Sequence, residues 1–166
     1  MSEGRDQDQD RDRARGRGRD PEREAFELAV AAIARKERTA AELAEVLAAR
    51  GVSDGVAVAV LRHLAEIGEL DDERFARAYA QDKRELRGWG PDRIRATLVE
   101  RGVDRATAES ASTEPHSEQT ERAASMLADR GERLVDDAAR SRALGYLARR
   151  GFDAEVAYEA VRRAAA

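Results

Sequence analysis

The chain has 166 residues; 39% are charged, 4% are aromatic, and none is cysteine. That length admits one or two ordinary domains or a short repeat array, and the missing cysteines exclude disulfides and thiolate metal sites while fitting a reducing compartment. No apolar run approaches the ~20 residues that span a bilayer, and no apolar stretch follows the charged amino terminus as in a secretory signal. The expectation is therefore a soluble cytoplasmic protein with no membrane partner.

Residues 1–20, MSEGRDQDQDRDRARGRGRD, hold six arginines and six acids and almost no apolar side chain. They cannot bury enough surface to offset the entropy of ordering, so a disordered charged tail is predicted. From Pro21 the chain becomes periodic, in residue types that favour helix over strand. Asp20 and Pro21 suit the cap and first position of a helix. Phe26, Ala29, Val30 and Ile33 recur at three- and four-residue spacing, which predicts one apolar face. Thr39 and Glu42 read as a capping box for a second helix carrying Leu43 and Leu47. Arg50-Gly51 ends it, and Ser53 or Asp54 caps a third that runs to about Ile67.

The pattern then returns. LAEVLAARGVSDGVA, IRATLVERGVDRATA and ALGYLARRGFDAEVA superpose, with Arg-Gly at 50–51, 101–102 and 150–151. A leucine stands four residues before each glycine (Leu47, Leu98, Leu147). An apolar residue follows it (Val52, Val103, Phe152), then a cap (Ser53, Asp104, Asp153). Self-similarity at a period near 50 residues signals a repeat array. The predicted fold class is all-α: three tandem three-helix repeats in an elongated, curved array behind the tail. The boundaries are 1–20 for the tail, 21–69 for repeat 1, 70–113 for repeat 2 and 114–166 for repeat 3. The first helix of repeat 2 is capped at Asp71 or Asp72 and that of repeat 3 starts near Ser117. The loop around Ser112–Ser117 reads as a hinge.

Charge is unevenly spread. Residues 21–73 carry net −6 and residues 106–166 net −2, whereas residues 74–105 carry net +4. A basic middle in an acidic chain is the pattern of a local anion-binding face. Gly88 and Gly90 permit backbone angles that a side chain opposes, and Pro91 suits the start of the next helix. Gly-Trp-Gly lacks the third glycine and preceding strand of a nucleotide-binding loop. Trp89 is either a core plug or a stacking face for a base, a contact worth roughly 1–3 kcal/mol. Lys83, Arg84 and Arg87 end one helix, where they also complement its dipole. Arg93 and Arg95 begin the next, where the dipole disfavours them, so a partner is more plausible for those two. Phe75 and Tyr79, four residues apart, are expected in the core.

The run LDDERFARAYAQDKRELRGWGPDRIRATLVERGVD resembles the signature of RecX regulatory proteins, modulators of the RecA-type recombinase. Leu70-Asp71-Asp72 with Phe75-Ala76 carries the resemblance, as do Gly88-Trp89-Gly90-Pro91 with Arg93-Ile94, and Leu98 with Arg101-Gly102. The segment ALGYLARRGFDAEVAYEAV resembles the family's last repeat, and the likeness covers about residues 22–164. It implies a regulator, typically an inhibitor, that binds the recombinase filament on single-stranded DNA and lowers its ATP hydrolysis and strand exchange. The residues expected to meet DNA or recombinase are Lys83, Arg84, Arg87, Trp89, Arg93 and Arg95.

Other chemistry is thinly supported. His63 sits among leucines on a helix and His116 in a polar loop; Asp71-Asp72-Glu73 read as helix-start acids. No nucleophile–base pair and no zinc spacing appears. No catalytic residue, cofactor or metal is predicted, and the chain is expected to be a monomer and not an enzyme. Two alternatives stay open: a general DNA-binding helical module, and a helical adaptor that binds protein only.

Overall fold

A computed structural model of the chain describes residues 20–131 and 133–165. Apart from Asp20, the predicted disordered tail lies outside them. Among the described residues the secondary structure is helical, in nine segments without a strand. None of these helices is long and apolar enough to cross a membrane. The described residues divide into two compact units, one of residues 20–37 and 43–69, the other of residues 38–42 and 70–165.

The first unit contains α1 (Pro21–Arg35), most of α2 (Ala40–Ala49), and α3 (Asp54–Glu66). The Asp20 carboxylate accepts from the Glu22 N–H, and Pro21 takes the first helical position. The face α1 buries keeps Ala29 of the expected set, with Phe26 and Ile33 half-buried, but adds Ala25 and leaves out Val30. Ala25 and Ala29 are buried while Val30 is 41% exposed, because the two small side chains sit where α1 packs on α3. Leu43, Leu47, Val60 and Leu64 are also buried. His63 is exposed and lies against Phe26, ring centroids 5.4 Å apart.

The second unit holds α4 (Asp72–Arg87), α5 (Pro91–Glu100), α6 (Arg105–Ser112), α7 (His116–Asp129), α8 (Asp137–Arg149) and α9 (Ala154–Ala164). Two clusters form its cores. Phe75, Ala76, Ala80, Ile94, Leu98, Val103 and Ala108 join α4–α6. Leu127, Ala143, Leu147, Phe152, Val156 and Ala160 lead the cluster that joins α7–α9. Asp71, Asp104, Asp136 and Asp153 each accept from the backbone N–H three residues on, which satisfies one orphan donor per helix start.

The repeated Leu…Arg-Gly-apolar string has a single physical cause. Gly51, Gly102 and Gly151 are all left-handed, with φ of 78°, 84° and 87°. Behind each, the next residue's N–H reaches the leucine carbonyl: Val52 to Leu47 at 3.1 Å, Val103 to Leu98 at 3.1 Å, Phe152 to Leu147 at 3.2 Å. These are Schellman closures, which satisfy the last carbonyls of a helix and bring the following apolar residue back against it. The capping box is present as well. The Glu42 N–H donates to Thr39 Oγ1 at 3.1 Å, and Thr39 N–H to Glu42 at 3.3 Å. Thr39 Oγ1 in turn donates to the Arg101 carbonyl at 2.6 Å, and Glu42 binds the Arg101 guanidinium through both oxygens. Segment 38–42 is thereby fixed to the end of α5. The Arg101 guanidinium also lies over Phe75 and Tyr79, 4.4 and 5.2 Å from their centroids.

Candidate functional site

Gly88 ends α4 in the left-handed conformation (φ 61°), its N–H and that of Trp89 returning to the carbonyls of Arg84 and Lys83. Gly90 then caps α5, with Pro91 at its first position. The left-handed angle requires glycine at 88, where a Cβ would meet only the movable end of Met126, and close approach to backbone requires it at 90. A Cβ at 88 would stand 2.7 Å from Met126 Cε, and one at 90 would stand 2.7 Å from Phe152 N. The second distance exposes a seam. Turn 88–92 lies directly on turn 149–152, where the Gly90 N–H donates to the Arg150 carbonyl at 2.7 Å and the Asp92 N–H to the Gly151 carbonyl at 3.1 Å.

Arginines reinforce this seam and the neighbouring end of α6 by donating to carbonyls at helix ends, where unpaired acceptors and the negative dipole terminus attract cations. Arg84 donates to the carbonyls of Ala111, Ser112 and Thr113. Arg93 reaches the Arg149 carbonyl at 3.0 Å, Arg122 the Trp89 carbonyl at 3.1 Å, and Arg150 the Arg87 carbonyl. Glu114, only 9% exposed, takes two hydrogen bonds from Arg122 and stands 3.7 Å from Arg84. The segment around 112–117 is thus tied down by Arg84 and Glu114.

Lys83, Arg84, Arg87, Trp89 and Arg93 line one open groove of about 1390 Å³. Arg95 does not join them. It pairs with Asp92 at 2.7 Å and Glu109 at 2.8 Å, on a separate small cleft, and the Glu109 hydrogen bond raises its pKa further. Trp89 takes a position between its two expected roles. It is half-buried against the α4–α6 core, and Arg93 lies 4.1 Å and Lys83 5.5 Å from its ring centroid. Phe75 is buried and Tyr79 half-buried, their rings stacked 5.9 Å apart, and burial raises the Tyr79 phenol's pKa.

The other half of the groove went unread in the sequence. It comes from Tyr146, Arg149 and Arg150 at the end of α8 and from Arg122 and Met126 on α7. Arg130 and Arg150 lie 4.3 and 4.7 Å from the Tyr146 centroid. Arg87 and Arg149 are exposed, their guanidinium groups outside the hydrogen bonds just described. The groove therefore offers cations for an anion beside partly accessible aromatic rings. His116 opens α7 and lies 3.1 Å from Glu159. Among the described residues no cluster of His, Cys, Asp or Glu is arranged to hold a metal.

Residues 71–111 match the family model for the second three-helix domain of RecX. The regulatory protein RecX of Mycolicibacterium vanbaalenii is 34% identical over 149 residues, covering 83% of this chain and 80% of the relative. That of Mycobacterium avium is 36% identical over 146 residues, covering 84% of each. The fold is similar to the crystal structure of RecX from Lactobacillus salivarius, with a TM-score of 0.79 at 19% identity over 87% of this chain and 97% of that one.

Proposed function

The chain belongs to the RecX family of regulatory proteins, and we propose that it regulates a RecA-type recombinase by binding the recombinase filament on single-stranded DNA. The observation that carries this reading is the groove of α4, α5, α7 and α8, where cations surround Trp89 and Tyr146. Single-strand binders combine a positive track for the backbone with aromatic faces for the bases. In this reading the protein is a cytoplasmic monomer and not an enzyme, built from repeats 21–69, 70–113 and 114–166, and it lowers ATP hydrolysis and strand exchange by blocking filament growth or promoting disassembly. Lys83, Arg87 and Trp89 meet the ligand directly. Arg84 and Arg93 hold the surface in place, and Arg95 contributes from a neighbouring face.

The test is the single-strand-dependent ATPase rate of the cognate recombinase during titration with the protein. A fall at substoichiometric ratios is the expected result, since a few molecules then act on many subunits. No change in excess, with folding verified, refutes it. Salt-dependent DNA binding without recombinase would then favour a general DNA-binding module, and its absence a protein-only adaptor.

A further inference from the structure

The groove is not uniformly basic. Glu118 and Glu121 line it from α7, both exposed and nearly one turn apart on the face that also presents Arg122, Ser125 and Met126. The cations without a carbonyl or carboxylate partner, Lys83, Arg87 and Arg149, come from the ends of α4 and α8 instead. Trp89 and Tyr146 supply its aromatic rings. Glu85 also lines it from α4, its carboxylate accepting from Gln81, so the α4 and α8 side is cationic in excess rather than throughout, set against aromatic rings and the acidic rim of α7.

We propose that the Glu118–Glu121 rim makes this groove selective for a single strand over a duplex. This rests on the reading of the groove as a DNA surface. A single strand has one row of phosphates, which the α4 and α8 cations hold while its bases turn toward the aromatic rings. A duplex carries a second row across grooves roughly 6–12 Å wide. Seated by its first row, it brings the second toward the α7 carboxylates. That separation is comparable with the ~8 Å screening length at physiological salt, so the repulsion is felt. Like charges facing each other across an interface act mainly by rejecting the wrong partner.

The experiment compares fluorescence anisotropy of the full chain and its E118Q/E121Q variant on a labelled oligo-dT strand and on a blunt duplex of equal length, at one fixed salt. Glutamine keeps helix propensity, and both positions are exposed. The double variant E66Q/E155Q, which removes two exposed acids outside the groove, controls for net charge. The expected result is a preference for oligo-dT that falls by roughly fivefold in E118Q/E121Q, mainly through tighter duplex binding, and stays unchanged in E66Q/E155Q. An unchanged preference in E118Q/E121Q, or an equal fall in E66Q/E155Q, overturns the inference while leaving the groove as a DNA surface. If the wild-type chain binds neither probe and the fluorescence of Trp89, the chain's single tryptophan, does not respond, the DNA reading of the groove fails as well.

Discussion

Replacing Gly151 with alanine tests the seam between turns 88–92 and 149–152. Two costs combine there. The left-handed backbone, φ 87°, costs a side-chain-bearing residue roughly 1–2 kcal/mol. The new Cβ would also press on the backbone of Arg93, within 2.9 Å of its Cα, so the turns must separate. Separation weakens the bonds from Gly90 to Arg150 and from Asp92 to Gly151, at about 0.5–1.5 kcal/mol each. The expected loss is about 2–5 kcal/mol. Gly131→Ala is the matched control, since its φ is 66° and nothing lies within 4 Å of the added Cβ, leaving about 1–2 kcal/mol. Urea unfolding followed by Trp89 fluorescence and by circular dichroism measures both. Equal losses in the two variants would refute the seam as a source of stability.

Other variants separate structural from ligand-facing charges. Glu114→Ala should cost about 2–4 kcal/mol, because it removes the half-buried acid paired with Arg122 and facing Arg84, each 21% exposed, and leaves Arg122 only the Trp89 carbonyl; removing the exposed Arg23–Glu27 pair should cost less than about 1 kcal/mol. Arg93→Ala should lower the urea midpoint by freeing the Arg149 carbonyl and uncovering Trp89, whereas Arg95→Ala should leave it nearly unchanged. Hydrogen bonds from the Thr107 hydroxyl and N–H hold the Asp104 carboxyl below its usual 3.8. A depressed carboxylate stabilises the fold above 3.8 and loses that contribution as pH falls through its folded value. Asp104→Asn should therefore flatten the decline in stability below about pH 4, measured by urea titration at several pH values. Burial moves Asp72 the other way, so Asp72→Asn should not flatten it.

Local chemistry was legible and tertiary juxtaposition was not. Schellman glycines, aspartate caps and the Thr39–Glu42 box act within six residues of themselves, so their residue types announce them. On α1 the expected face held at Ala29 but missed Ala25, a weak hydrophobe whose burial depends on how closely α3 approaches, and included Val30, which is exposed. Trp89 and its neighbouring cations were visible as a cluster, yet Arg84 and Arg93 are committed to carbonyls 27 to 56 positions away in the chain. Tyr146, Arg149 and Arg150 belong to the same groove because turn 149–152 lies on turn 88–92. No periodicity encodes that pairing. Its nearest sequence sign is glycine at both 90 and 151, where either Cβ would collide with the opposite turn.

The seam also bears on cooperativity. In a repeat array, the coupling between neighbours decides whether units melt singly or together. Here the coupling includes backbone bonds between positions about 60 apart in sequence, which close only after the local helices exist. The Gly90 and Asp92 amide hydrogens lie outside any helical ladder and point into the facing turn, so their exchange with solvent clocks the parting of the two turns. If those amides exchange only at the global unfolding free energy, helices α4–α9 behave as one foldon, and a ligand that grips both walls of the groove stabilises all six at once.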